Sequence, residues 1–273
     1  MQITSWYTRN FEDRLKGRYI TINHILPILD NYREIFNVSA AGFSENGVEI
    51  PLVSFGQGGK KVLIWSQMHG NESTTTKALF DFFKFITSNK QETKDLLSKH
   101  TFYVFPMLNP DGALLYTREN ANNIDLNRDA QNLTQPESKL LRSTFESFKP
   151  DYCYNLHDQR TIYGIESDAI RPATVSFLAP AYNENREVNE VRAKAIKVII
   201  AMNKILQEFI PNQVGRFDDS FNINCVGDTF QMAGVPTILF EAGHCGEDYN
   251  REQTRAYIFY AFLELFGFSE KPR

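Results

Sequence analysis

Short apolar runs of strand length alternate with longer stretches of helical period along most of this chain, and no other feature constrains its fold as strongly. Residues 49–56 and 61–68 read as strands separated by the turn Gln-Gly-Gly-Lys. From Ser73 onward, Leu79, Phe82, Phe83 and Ile86 fall on one face of a helix. Residues 101–108 form a third strand, 136–149 a helix opened by proline, and 150–158 a strand after it. A strand at 174–182, a long helix at 185–210, a short buried strand at 235–243 and a closing helix at 250–266 complete the series. This alternation predicts an α/β, single-domain, three-layer fold with a mixed, largely parallel central sheet flanked by helices. The early strand pair, joined by a short turn, is expected to supply the antiparallel part.

With 273 residues, 42% of them hydrophobic, the chain has ample material for one large core. A formal net charge of −4, with Lys and Arg scattered among carboxylates, gives no electrostatic reason to expect nucleic acid or an anionic membrane as partner. No stretch approaches the roughly 18 apolar residues of a membrane span. The first residues lack a basic region followed by an apolar run, so no signal peptide is read. Three cysteines are too few, and odd in number, for a disulfide framework. A reducing, cytoplasmic setting is the expectation.

Polar residues recur at strand ends, where ligands collect in sheets of this kind. His69 follows one strand, Asn109 and Asp111 another, His157 a third, and Glu241 stands near the end of a fourth. Residues three apart on a helical turn point the same way, so His69 and Glu72 can reach one ion, with His157 the best third ligand. Zinc takes such nitrogen and carboxylate donors and leaves a position for water in catalytic sites. A His-x-x-Glu pair alone is a weak signal, since capping and surface roles explain most of them. Glu241 is more informative, because a carboxylate flanked by apolar residues needs a partner or a task. His24, His100 and His244 are read as structural.

Six motifs in order carry a family resemblance: HGNE (69–72), NPDG (109–112), TREN (117–120), DLNRD (125–129), NLHD (155–158) and ILFEAG (238–243). Together they resemble the zinc carboxypeptidase (metallocarboxypeptidase) family from about residue 50 to the end. The resemblance implies a catalytic domain over 46–273, preceded by an N-terminal extension over 1–45. It implies one Zn²⁺ per chain, held by His69, Glu72 and His157, and hydrolysis of C-terminal peptide bonds by zinc-activated water. Glu241 would be the general base, Arg118 would stabilise the oxyanion, and Asn127 with Arg128 would hold the substrate's terminal carboxylate. The stretch 215–241 lacks the tyrosine that the family's carboxypeptidases usually place upstream of the base. Tyr163 or Tyr249 is a substitute from another loop, and Asp228 matches the residue near the specificity pocket. Arg160, just past His157, would meet an anionic group or pair with Asp158 or Glu166.

Other readings share part of this apparatus. A zinc deacylase resembling the aspartoacylase and succinylglutamate desuccinylase group would act on small N-acyl amino acids, and a murein peptide hydrolase would cut cell-wall peptides. NPDG and the FEAG context favour the peptidase. A non-catalytic binding module would have lost the ligands or the glutamate, and all are present.

Overall fold

The computed structural model of the protein describes residues 3–166 and 170–268. Helices α1 (Ile3–Asn10) and α2 (Ile22–Asp30) precede strands β1 (Asn37–Phe43), β2 (Glu49–Gly56) and β3 (Lys60–Ser66). Then come α3 (Thr74–Ser88), α4 (Lys94–Lys99), β4 (His100–Phe105), α5 (Pro110–Leu115), a 3-10 turn at Leu126–Arg128, α6 (Pro136–Phe148) and β5 (Tyr152–Asp158). The hairpin β6 (Gly164–Glu166) and β7 (Ile170–Pro172) is followed by β8 (Val175–Leu178), α7 (Glu190–Leu206) and β9 (Val214–Arg216). Last are α8 (Val226–Met232), β10 (Thr237–Ala242) and α9 (Glu252–Leu265).

Eight strands form one mixed sheet in the order β1-β2-β4-β3-β5-β10-β8-β9. Its centre, β4-β3-β5-β10, is parallel throughout. These strands are covered on both faces, which is why β3 and β10 read as unbroken apolar runs rather than alternating ones. The antiparallel part is built differently from the expectation. Strands β2 and β3 do not pair with each other, because β4 inserts between them, antiparallel to β2 and parallel to β3. The 57–60 turn is a crossing over the start of β4, with Gln57 N–H donating to Leu97 O and Gly58 N–H to His100 O. A side chain on Gly58 would collide with the Lys99–His100 backbone, so glycine is needed there.

The face of the sheet covered by α1, α3, α7 and α9 holds the larger core, rich in phenylalanine. Trp6 meets Phe85 edge-on at 5.0 Å and stacks on Phe259 at 5.6 Å, while Phe55 stacks on Phe102 at 4.7 Å. The other face is a smaller core under α6 and α8, where Trp65 and Phe145 pack on Phe230. Arg255, fully buried on α9, donates to both oxygens of the equally buried Asp81 at 2.6 Å, and to the carbonyls of Glu12 and Leu15. Further along the same N-terminal stretch, Ile20 O accepts from Gln67 and Arg18 O from Ser73. Residues 12–20 are thereby fastened to α9 and to the corner that carries His69.

Candidate metal centre and active-site cavity

The corner between β3 and α3 bends sharply at Gln67, whose φ of 49° is left-handed. Glu72 N–H then donates to His69 O, closing a turn that presents the two side chains together. This turn lies against the start of α5, where a side chain on Gly70 would strike the Gly112 carbonyl group. Asn109 caps α5 by accepting from Gly112 N–H at 2.8 Å and donates to Met68 O at 3.1 Å. Two of the motifs are thus the two halves of one backbone contact.

His69, Glu72 and His157 form a buried group able to hold a metal ion, with one ligand atom from each lying within 4.8 Å of the others. His69 Nδ1 is 2.8 Å from Glu72 Oε1, His157 Nδ1 is 2.8 Å from Glu72 Oε2, and the two Nδ1 atoms are 3.1 Å apart. Neighbouring donors of a tetrahedral zinc site with bonds of about 2.0–2.1 Å lie about 3.3 Å apart, so this donor set fits the ion. The surroundings fit as well. Asp125 Oδ1 is 3.0 Å from His69 Nε2, which places the proton there and turns the Nδ1 lone pair toward the group. Glu72 Oε2 also accepts from Asp158 N–H. Burial opposes the charge on Glu72, but His69 and His157 outweigh it and hold the carboxyl far below the usual range. Burial likewise works against protonation of His69, and Glu72 with Asp125 overcomes it; for His157, burial prevails and lowers its basicity.

Asp158 closes the site from below. Its carboxylate accepts from Thr74 and Thr75 N–H at the first turn of α3 and lies 3.5 Å from Arg251. This aspartate is therefore not paired with Arg160. Glu241, on β10, is in register with His157 on the parallel neighbour β5. No hydrogen bond holds its carboxylate among the described residues. Burial, and then the charges of Glu72 and Asp158, push its pKa well up.

Arg118 donates through Nε to Asp125 Oδ2 at 3.0 Å, and its Nη1 lies 3.1 Å from His69 Nδ1 and 3.4 Å from Glu72 Oε1. Asp125 also caps the 3-10 turn by accepting from Asn127 N–H. Asn127 Oδ1 accepts from Val226 N–H, which leaves its amide nitrogen free to donate. Arg128 is exposed and reaches Cys225 Sγ at 3.1 Å, meeting no carboxylate among the described residues.

The zinc carboxypeptidase family model matches residues 23–154. The chain is similar to that family over this stretch, just under half of its length. The matched stretch contains His69, Glu72, Arg118, Asn127 and Arg128, and ends just before His157. Among curated relatives of the family, carboxypeptidase 2 of Trichophyton rubrum is 28% identical over 187 residues, 63% of this chain and 35% of that protein. The chain spans about a third of that relative's length. Among solved structures, a metallo-carboxypeptidase from Burkholderia cenocepacia aligns with a TM-score of 0.71 at 17% identity, covering 90% of this chain and 68% of the other. Carboxypeptidase A from Helicoverpa armigera aligns at 0.67 and 13% identity, covering 90% and 72%. At such identities the likeness is one of fold.

One cavity of about 740 Å³ brings together His69, Glu72, His157, Glu241, Arg118, Asn127 and Arg128. Arg160, Tyr163 and Asp228 also line it. Tyr249 does not; it hydrogen-bonds Tyr19 and lies under Arg18 outside the cavity. His24 caps α2 through Thr21, His100 bonds Leu96 O, and His244 contacts Arg251. Sequence reasoning left Asp125 and Arg251 without roles and gave Asp158 only as a partner for Arg160. Asp125 and Asp158 stood inside quoted motifs, beside assigned residues, and that adjacency was the available signal. Arg251 had none.

Proposed function

We propose that the protein is a zinc-dependent metallocarboxypeptidase that hydrolyses C-terminal peptide bonds. The observation that carries this reading is the convergence of two Nδ1 atoms and a carboxylate beside Glu241, in a cavity that also exposes Arg128. The chain is read as a single domain, with 46–273 its catalytic part and 1–45 an N-terminal extension whose strand β1 joins the sheet. His69, Glu72 and His157 would hold one zinc ion per chain. When bound, zinc supplies Lewis acidity, polarising a carbonyl and lowering the pKa of water.

The chain's own groups do the rest. The Glu241 carboxylate takes a proton from the attacking water and returns it to the leaving amine, a task suited to a carboxyl whose burial favours the protonated form. Arg118, aimed into the ligand group by Asp125, offers a guanidinium where negative charge develops on the scissile carbonyl oxygen. Arg128 and the free amide nitrogen of Asn127 grip the terminal carboxylate and confine cleavage to the last residue. Tyr163 stands on the cavity wall where a substrate's distal part would pass.

The test is hydrolysis of blocked dipeptides, their C-terminal amides, small N-acyl amino acids and muropeptides by zinc-loaded protein. Release of the last residue from free-acid peptides alone supports the reading. Preference for N-acyl amino acids or muropeptides would move the protein to the deacylase or murein-hydrolase reading. Loaded, folded protein inert on all four would favour a binding module.

A further inference from the structure

A second cavity lies at the far end of the sheet, between α7 and the last two strands, β8 and the edge strand β9. It has a volume of about 390 Å³, within the range of small-molecule sites. Its body is apolar: Phe177, Ile196, Ile199 and Val214 line it, and Val188 and Ile200, each 60% exposed, form the lip. Ile196, Ile199, Ile200 and Asn203 follow helical spacing, so one face of α7 serves the cavity, while Ala195, Met202 and Leu206 serve the core.

The other end of this cavity is cationic. Arg186, Arg192 and Arg216 surround the single carboxylate of Asp219, at 3.6, 2.6 and 2.8 Å. Arg192 is 3% exposed and fully engaged, donating also to the carbonyls of Ala179, Arg186 and Glu187. Arg186 and Arg216 keep donors facing solvent. The nearby acids bond neutral donors instead, Glu187 with Tyr182 and Asn183 and Asp218 with Ser220 on the catalytic side, and neither forms an ion pair with these arginines among the described residues. Three guanidinium groups share the one carboxylate of Asp219, which leaves unused donors of Arg186 and Arg216 at the mouth of an apolar hollow.

We propose that this cavity binds a small amphipathic carboxylate, such as a medium-chain fatty acid, with its chain along α7 and its head on Arg186 and Arg216. A neutral apolar ligand would leave the two guanidinium groups uncompensated. The β9 edge is only three residues long, too short to template an added strand.

The test uses the full chain labelled at isoleucine methyl groups, titrated with octanoate, octan-1-ol and acetate and followed by NMR. Octanoate is expected to shift Ile196, Ile199 and Ile200 saturably, binding about tenfold or more tightly than octan-1-ol, with acetate giving no saturable shift there. Arg186→Glu with Arg216→Glu should abolish that preference. Because Arg216 supports Asp219, Ile200→Asp at the exposed lip provides a second variant that leaves the ion cluster intact, and it should weaken octanoate likewise. No saturable shift with octanoate would overturn the proposal, as would equal affinity for the alcohol or undiminished binding in both folded variants. Shifts at these methyls that depend on protein concentration without ligand would overturn it in favour of a second copy of the chain.

Discussion

The Nδ1 atoms of His69 and His157 face each other at 3.1 Å, each 2.8 Å from its own oxygen of Glu72. Imidazoles that meet through their Nδ1 atoms around a carboxylate crowd lone pairs, and a divalent cation relieves the crowding. Zinc should therefore raise the melting temperature of metal-stripped protein, by an amount equivalent to about 4 kcal/mol at a thousandfold excess over Kd. His69→Ala should remove both the bound zinc, measured by elemental analysis, and the thermal shift. A stripped protein that melts identically with and without zinc would refute the site.

Glu241→Gln keeps the shape of the side chain and removes its basicity. Zinc content should stay at the wild-type level while kcat falls about 10²–10⁴-fold. Near-normal turnover in this variant would displace Glu241 from the role of base.

Among the described residues Arg128 meets no carboxylate, so truncating it should cost substrate rather than structure. Arg128→Ala should raise KM for free-acid peptides about tenfold or more, with little change in melting temperature. The variant should also lose the preference for free acids over amides; an unchanged preference would argue against the clamp.

The Arg255–Asp81 pair lies deep between α9 and α3, with the backbone of residues 12–15 on the same guanidinium. Arg255→Ala strands the carboxylate in the core and should cost about 3–5 kcal/mol in urea unfolding. A cost below about 1 kcal/mol would mean that the N-terminal stretch is held by other contacts.

Burial raises the Asp228 carboxyl from its ordinary 3.8 to about 6. A raised acid favours folding below its unfolded pKa, and that contribution is lost as pH rises through the folded one. Asp228→Asn should therefore melt higher than wild type at pH 7.5, with the advantage fading toward pH 4. An advantage independent of pH would exclude ionisation of this group as its source.

Much of this architecture could be read from residues alone, for a physical reason. Strands β3, β5 and β10 are covered on both faces and so read as apolar-rich runs into which the site's polar residues are set, and α3, α7 and α9 are long enough to show their period. Edge strand β1 is mostly exposed and β9 has three residues, too little pattern to detect. The insertion of β4 between β2 and β3 is a long-range pairing that a short turn disguises. At the site, the motifs placed His69, Glu72, His157 and Glu241 at strand ends. The burdens on Asp125, Asp158 and Arg251 arise only when distant segments fold back together. Gly70 and Gly112 illustrate the same limit, since Gly70 is explained by the Gly112 backbone and Gly112 by Glu119 O and the Asn109 side chain.

The hydrogen bonds from Thr74 and Thr75 to Asp158 tie the ligand from β5 to the helix that follows the other two. His157 cannot draw away from His69 and Glu72 without uncapping α3. Local opening of the centre is thereby coupled to fraying of a core helix, and the amides of Thr74 and Thr75 would exchange with solvent only in the rare, large-scale excursions of the molecule. The positions of these three side chains are thus tied to the fold's own hydrogen bonds.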